Sequence, residues 1–305
     1  MKKRSRSLRA LFAAPPLLAA AVACGHDHPP ATRDPDASAP TFSGPNGTCV
    51  PPDLVFVLDR TFSMARSPDG LNQPATPEGR DQTKWALAVK TVHDVTAPPT
   101  DATIRFGVVL FPTDPGGDAC VTLLQAGNGL IPANGSCAPA DVAVPVALNQ
   151  SAAITTAVDR DATRLCDSTP IGLALTTARD ALHAVVEQNR PQYVVLVTDG
   201  GENCASNPAQ VVAELAAQQI RTYIVGFAQL FDGGTPDYDV ELLDDLACIG
   251  LTAPNEETAC LRDKTGAYAS ARTHDKHLFY AAGSGDELSA ALTKIAGDVC
   301  CGCTR

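Results

Sequence analysis

Apolar and polar positions alternate along this chain in two rhythms. Leu54–Leu58 (LVFVL) and Tyr193–Val197 (YVVLV) are short continuous apolar runs, the pattern of strands buried on both faces. Ile104–Phe111 (IRFGVVLF), Thr222–Phe227 and Leu278–Ala281 read as further strands. Val142–Ala147 is a weaker one, and Pro145 within it cannot donate to a ladder, which places it at a sheet edge. Between these runs the period lengthens. Residues 81–95 carry Trp85, Ala88, Val89 and Val92 at i, i+3, i+4 and i+7, one face of a helix. Helices are also predicted over 170–188 and 208–219, both opened by a proline at the first-turn position it prefers, and over 240–249 and 287–296.

Strands alternating with helices predict an α/β fold. The expected architecture is a doubly wound, mostly parallel six-stranded sheet with helices on both faces and right-handed crossovers. It forms one domain over residues 49–298, followed by a Cys-rich C-terminal tail at 299–305. Residues 112–141, rich in Gly, Pro, Asn and Cys, interrupt the alternation as a stapled loop.

The N-terminus does not belong to this pattern. Lys2, Lys3, Arg4, Arg6 and Arg9 precede a short apolar stretch, Leu11–Ala23, that Pro15 and Pro16 interrupt. A basic region, a short apolar region and small residues before a break describe a signal peptide over 1–23, too short to span a bilayer as a helix. Ala21-Val22-Ala23 fits an A-x-A cleavage site. With Cys24 it is also similar to a bacterial lipobox, although Ala21 stands where a Leu is usual. Lipidation of Cys24 and plain secretion are the two outcomes; Gly25 after the cysteine fits onward sorting to an outer membrane. Residues 24–48 hold five prolines among small polar residues and make an extended tether.

Charge and cysteines sharpen the class. The net charge is −11, and without the five N-terminal cations it becomes −16. So acidic a body is a poor binder of nucleic acid or of an anionic membrane surface; membrane contact is expected only through the lipid anchor. Eleven cysteines are many for a cytosolic chain. One lipidated Cys24 leaves ten that can pair in an oxidising compartment.

Ligands of open α/β sheets bind beyond the carboxyl ends of the strands. Asp59, Thr61 and Ser63 follow the first buried strand at i, i+2 and i+4 spacing, which lets a tight loop turn three oxygens to one point. Asp199 and Gly200 follow the Tyr193 strand, and Thr169 stands before Pro170 at the start of a helix. Carboxylates and short hydroxyls are ligands for hard divalent cations. Each also has a plainer role: Asp59 as a strand end, Thr169 as a helix cap, Asp199-Gly200 as a turn. A phosphate-binding loop and a G-x-S-x-G elbow are both absent from the sequence.

With those residues in order, the chain resembles a von Willebrand factor type A domain, of a bacterial lipoprotein type, from about residue 50 to 298. LVFVLD, STPIGLAL and VVLVTDG match the family's phrases, and the family's single antiparallel edge strand agrees with the Pro145 strand. The resemblance implies a metal-ion-dependent adhesion site with Asp59, Thr61, Ser63, Thr169 and Asp199 around Mg²⁺, or Mn²⁺ or Ca²⁺. It implies binding rather than turnover, by a cell-surface module that takes a carboxylate from a protein or matrix partner. A disulfide-rich envelope-assembly module with a vestigial metal site is the competing expectation. Two residues depart from the pattern. Thr61 replaces a Ser and keeps the hydroxyl. Phe62 replaces a small residue, where a ring would strain the loop, crowd the rim or join the recognition surface.

The family fold also implies disulfides. Cys166–Cys204 would brace the loops of Thr169 and Asp199, Cys120–Cys137 would close the insertion, and Cys248–Cys260 a later loop. Cys49 would pair with one of Cys300, Cys301 or Cys303 where the termini meet.

Overall fold

The computed structural model describes residues 50–69, 76–133, 135–185, 190–227, 239–274 and 277–301. The expected signal peptide, Cys24, the tether, Cys49 and Cys303 lie outside these residues. Cys300 and Cys301 fall in the last helix, but their side chains are outside the described set.

In chain order the elements begin with β1 (Asp53–Asp59), a 3-10 turn (Phe62–Ala65), α1 (Pro77–Arg80), α2 (Lys84–Thr96) and β2 (Arg105–Phe111). The insertion contributes β3 (Cys120–Val121) and α3 (Leu123–Gly127). Then come β4 (Asp141–Ala147), α4 (Ser151–Ala157), β5 (Leu165–Cys166), α5 (Ile171–His183), β6 (Gln192–Thr198) and α6 (Pro208–Ala217). The chain continues through β7 (Arg221–Phe227), α7 (Val240–Ile249), α8 (Glu256–Ala259), β8 (Cys260–Arg262), β9 (Tyr268–Ala271), β10 (Tyr280–Ala282) and α9 (Gly285–Cys301).

The main sheet has six strands in the order β10-β7-β6-β1-β2-β4. All neighbours are parallel except β4, which runs antiparallel to β2 at the edge with irregular register. The expected fold class and edge strand are therefore what the chain forms. The middles of its central strands are apolar because both faces are covered. Leu54, Phe56 and Leu58 of β1 join Trp85, Val89 and Val92 of α2 and Leu288 and Leu292 of α9 in one core. Val55 and Val57 join Ile171, Leu175 and Leu182 of α5 and Val212 and Leu215 of α6 in the other.

Because β1 and β6 are parallel neighbours, with Leu58 opposite Val197, both chains leave the sheet at the same edge. That places Asp59 beside Thr198 and Asp199. Of the described helices, none is long and apolar enough to cross a membrane.

Differences from expectation are local. β10 runs Tyr280–Ala282 rather than Leu278–Ala281, and α9 extends through Cys301, past the boundary expected at 298. α4 and the short pairs β3–β5 and β8–β9 have no counterpart in the sequence expectations.

Candidate metal centre

The loop after β1 is held by backbone before any side chain acts. Arg60 N–H donates to the Phe111 carbonyl at 2.7 Å, and Cys166 N–H donates to the Arg60 carbonyl at 3.0 Å. Thr61 forms an isolated bridge with Cys166. The loop is thus an extra rung between β2 and β5. The Arg60 guanidinium turns away from the site, with Nε donating to the Pro112 carbonyl at 2.7 Å and Nη2 paired with Asp141 at 2.8 Å.

Four of the five expected residues meet in one hydrogen-bonded cluster. Asp59, fully buried, accepts the Thr61 N–H on Oδ1 at 2.7 Å and the Thr198 hydroxyl on Oδ2 at 2.6 Å. Ser63 Oγ donates to Asp199 Oδ1 at 2.7 Å. Thr61 Oγ1 lies 2.8 Å from Ser63 Oγ and 3.4 Å from the same Asp199 oxygen. Burial first, and the neighbouring Asp199 carboxylate second, push the Asp59 carboxyl up to about 7. Ser63 is partly exposed while Asp59, Thr61 and Asp199 are buried, so the cluster opens to solvent at Ser63.

Thr169 comes from the other side. Its N–H donates to Asn203 Oδ1 at 2.6 Å, and Asn203 N–H donates back to the Thr169 carbonyl at 3.3 Å. The buried Thr169 side chain faces Gly200: a Cβ built there would stand 3.7 Å from Thr169 Oγ1. Glu202 braces this loop by accepting from Gly172 N–H at 3.1 Å and Cys204 N–H at 2.7 Å. Gly172 must be glycine. A Cβ there would lie 2.7 Å from Ser206 Oγ and 3.0 Å from the backbone nitrogens of Asn207 and Pro208.

Phe62 does not strain its loop. It lies in the 3-10 turn, its φ is not among the positive ones, and its half-buried ring packs on the α2-side core. Loop strain does not arise.

Two disulfide expectations are corrected. Cys120 bonds Cys166, and Cys137 bonds Cys204, in place of Cys120–Cys137 and Cys166–Cys204. The reason is register: Cys120 and Cys166 are direct cross-strand partners in β3–β5, with Cα atoms 4.2 Å apart. The insertion is therefore not closed on itself. It is bonded twice to the rim, once beside the Thr61 loop and once beside Asn203. Cys248–Cys260 forms as expected, tying α7 to β8.

Four contributors escaped the sequence reasoning: Thr198, Asn203, Glu202 and, above all, Lys84. Lys84 Nζ lies 2.5 Å from Asp199 Oδ2, and both side chains are completely buried. A lysine at the head of an amphipathic helix ordinarily reads as solvated, so nothing local marked it.

The oxygen donors of Asp59, Thr61, Ser63 and Asp199 fit a hard divalent cation, since the cluster holds two buried carboxylates and two hydroxyls with no sulfur or imidazole. A separate convergence of Asp114 with Cys120 and Cys166 is no thiolate site, because the two sulfurs are bonded to each other.

The family model described as von Willebrand factor type A domain matches residues 53–264. Among solved structures, proximal thread matrix protein 1 from the mussel byssus, with a zinc-occupied MIDAS motif, is 17% identical with a TM-score of 0.48. That likeness covers 83% of this chain and 46% of that one, so this chain spans less than half the mussel protein's length. The pilus adhesin SpaC from Lactobacillus rhamnosus GG is 14% identical with a TM-score of 0.49, over 82% of this chain and 30% of that one. BatB from Bacteroides thetaiotaomicron is 13% identical with a TM-score of 0.44, over 81% of this chain and 98% of its own. No curated protein matches.

Proposed function

This chain belongs to the von Willebrand factor type A domain family, and from that premise we propose that it binds a protein or matrix partner through a divalent cation at the carboxyl edge of its sheet. One observation carries the reading. The hydroxyls of Thr61 and Ser63 converge on one oxygen of Asp199, beside the buried Asp59, where the cluster opens to solvent. Asp59, Thr61, Ser63, Thr169 and Asp199 would hold Mg²⁺, with Mn²⁺ or Ca²⁺ as substitutes. When bound, the ion supplies a local positive charge to which a partner's carboxylate can add.

The chain's own residues do the rest. Thr198 and the Thr61 N–H fix Asp59; Asn203 fixes the Thr169 backbone; the two disulfides hold the rim loops to the insertion. The function is binding, not turnover. We read Cys24 as the lipidated first residue and residues 24–48 as a tether that holds the domain off a bacterial envelope membrane, most simply the outer one, with secretion as the alternative.

The test is a pull-down of envelope or matrix proteins with the mature domain in Mg²⁺. Capture is expected to disappear in excess EDTA and in folded Asp59→Ala and Asp199→Ala variants. Equal capture in EDTA would overturn the reading. A structural envelope module without metal is the second reading, and Lys84 favours it, because a protein cation already faces Asp199. A folded domain with no affinity for Mg²⁺, Mn²⁺ or Ca²⁺ would select it.

A further inference from the structure

We propose that Lys84 is a resident counter-ion of the metal centre, one that weakens divalent-cation binding and strengthens the loaded site for an anionic partner group. The inference rests on the metal-binding reading above and assigns a role that the five candidate ligands do not contain.

Its position is built rather than incidental. Thr83 caps α2, accepting the Ala86 N–H on its side chain at 3.2 Å and donating its own hydroxyl to the Arg80 carbonyl at 2.8 Å. Lys84 N–H donates to the Arg66 carbonyl at 2.8 Å, which pins the helix start to the far end of the Thr61–Ser63 loop. The next residue, Trp85, is fully buried and anchors that start in the core. The lysine stem therefore has one direction to run, and it ends 2.5 Å from Asp199. Lysine is almost never fully buried unless its charge is matched.

Asp199 is divided between two tasks. Oδ2 faces the ammonium and Oδ1 faces the hydroxyls of Ser63 and Thr61. The ammonium thus orients the carboxylate, leaving the other oxygen on the hydroxyl side where the donors converge.

Charge decides the consequence. Asp59 and Asp199 as carboxylates contribute two negative charges. Lys84 returns one, so the metal-free centre carries a single negative charge. A divalent ion would bring it to a single positive charge; without Lys84 the same ion would bring it only to neutrality. A buried positive charge a few ångström from a divalent cation opposes it at low effective dielectric. The same surplus attracts a carboxylate from a partner, which matters in a chain of net charge −11. Lys84 is a positioning residue here, and it acts through Asp199.

The test is Mn²⁺ titration by calorimetry at pH 8 on the mature domain, comparing wild type with Lys84→Met, Lys84→Arg and Asp59→Ala. Folding of each is checked by circular dichroism. Removing the charge in Lys84→Met is expected to tighten Mn²⁺ by roughly tenfold or more. Lys84→Arg keeps the charge and should stay near wild type, which a role in packing alone would not produce. In the Mn²⁺-saturated proteins, acetate should bind more weakly to Lys84→Met, read as a smaller loss of water proton relaxation.

A folded Lys84→Met that binds Mn²⁺ no more tightly than a metal-binding wild type overturns the inference and leaves the metal reading standing. Binding by Lys84→Met but not by wild type supports the inference and overturns the metal reading for the native chain. No binding by either overturns both. Should Lys84→Met fail to fold, ¹⁵N-lysine NMR of the wild type decides. The slowly exchanging buried ammonium should shift on Mg²⁺ saturation, and an unmoved resonance in a Mg²⁺-bound protein overturns the inference.

Discussion

The backbone N–H of Cys166 donates to the Arg60 carbonyl at 3.0 Å, so the disulfide-bearing strand β5 and the candidate metal loop are neighbours in one ladder. Cys166 is at once a rung beside Thr61 and one end of the bond to Cys120. The Cys120 end of the insertion is thereby joined to the Thr61 loop through Cys166.

Replacing both ends, Cys120→Ala with Cys166→Ala, should lower stability and metal affinity together. The closed segment spans 46 residues, and the chain-entropy account gives about 4 kcal/mol for a loop of that length. The expected fall in melting temperature is on the order of 10 °C for a domain of this size. Calorimetry in EDTA reads the first effect and Mn²⁺ titration the second. A destabilised variant with wild-type Mn²⁺ affinity would show that the bond supports the fold without bracing the site.

Non-reducing peptide mapping of the protein folded under oxidising conditions should return Cys120–Cys166, Cys137–Cys204 and Cys248–Cys260. Peptides linking Cys166 to Cys204, or Cys120 to Cys137, would contradict the register of β3 on β5.

That pairing marks where sequence stops being legible. β1 and β6 can be read because their middles, Leu54–Leu58 and Val194–Val197, are buried on both faces and wholly apolar, and Pro145 betrays the edge strand by its missing donor. Asp59, Thr61, Ser63, Thr169 and Asp199 can be found because each sits at a strand end or helix start with a spacing of its own. β3 and β5 are two residues long, too short for any period, and only their register decides which cysteines meet. α4 buries a single residue, Ile154, so its helical face is invisible. Lys84 is hidden for a different reason. Its partner Asp199 is remote in sequence, and only the meeting of α2 with the end of β6 turns a surface residue type into a buried one.

Phe62→Ala should cost stability rather than relieve the site. The half-buried ring packs on the same core as Trp85 and Leu58, and its backbone is unstrained. Partial burial of a phenylalanine suggests a loss of about 1–3 kcal/mol, below the 3–5 of a fully buried one. Urea unfolding measures it. Stability unchanged, with tighter Mn²⁺ binding, would mean that the ring crowds the rim instead.

His93 on α2 makes a pH prediction whose sign can be worked out. Burial holds its imidazole below the ordinary value, with Asp94 and Asp159 only partly opposing that. Nε2 is buried and has no hydrogen-bond partner among the described residues. The folded domain therefore favours the neutral ring. Above the unfolded-chain value of about 6.5 both states are neutral and this contribution is fully present. As the pH falls through about 6.5 the unfolded chain takes up a proton before the folded one does, and stability falls until the folded value is passed. His93→Gln cannot titrate there. Between pH 7.5 and 5.5 in EDTA, the wild type should lose more stability than His93→Gln, measured as the difference in urea midpoints. Parallel losses in the two proteins would show that His93 stays as easily protonated in the fold as outside it.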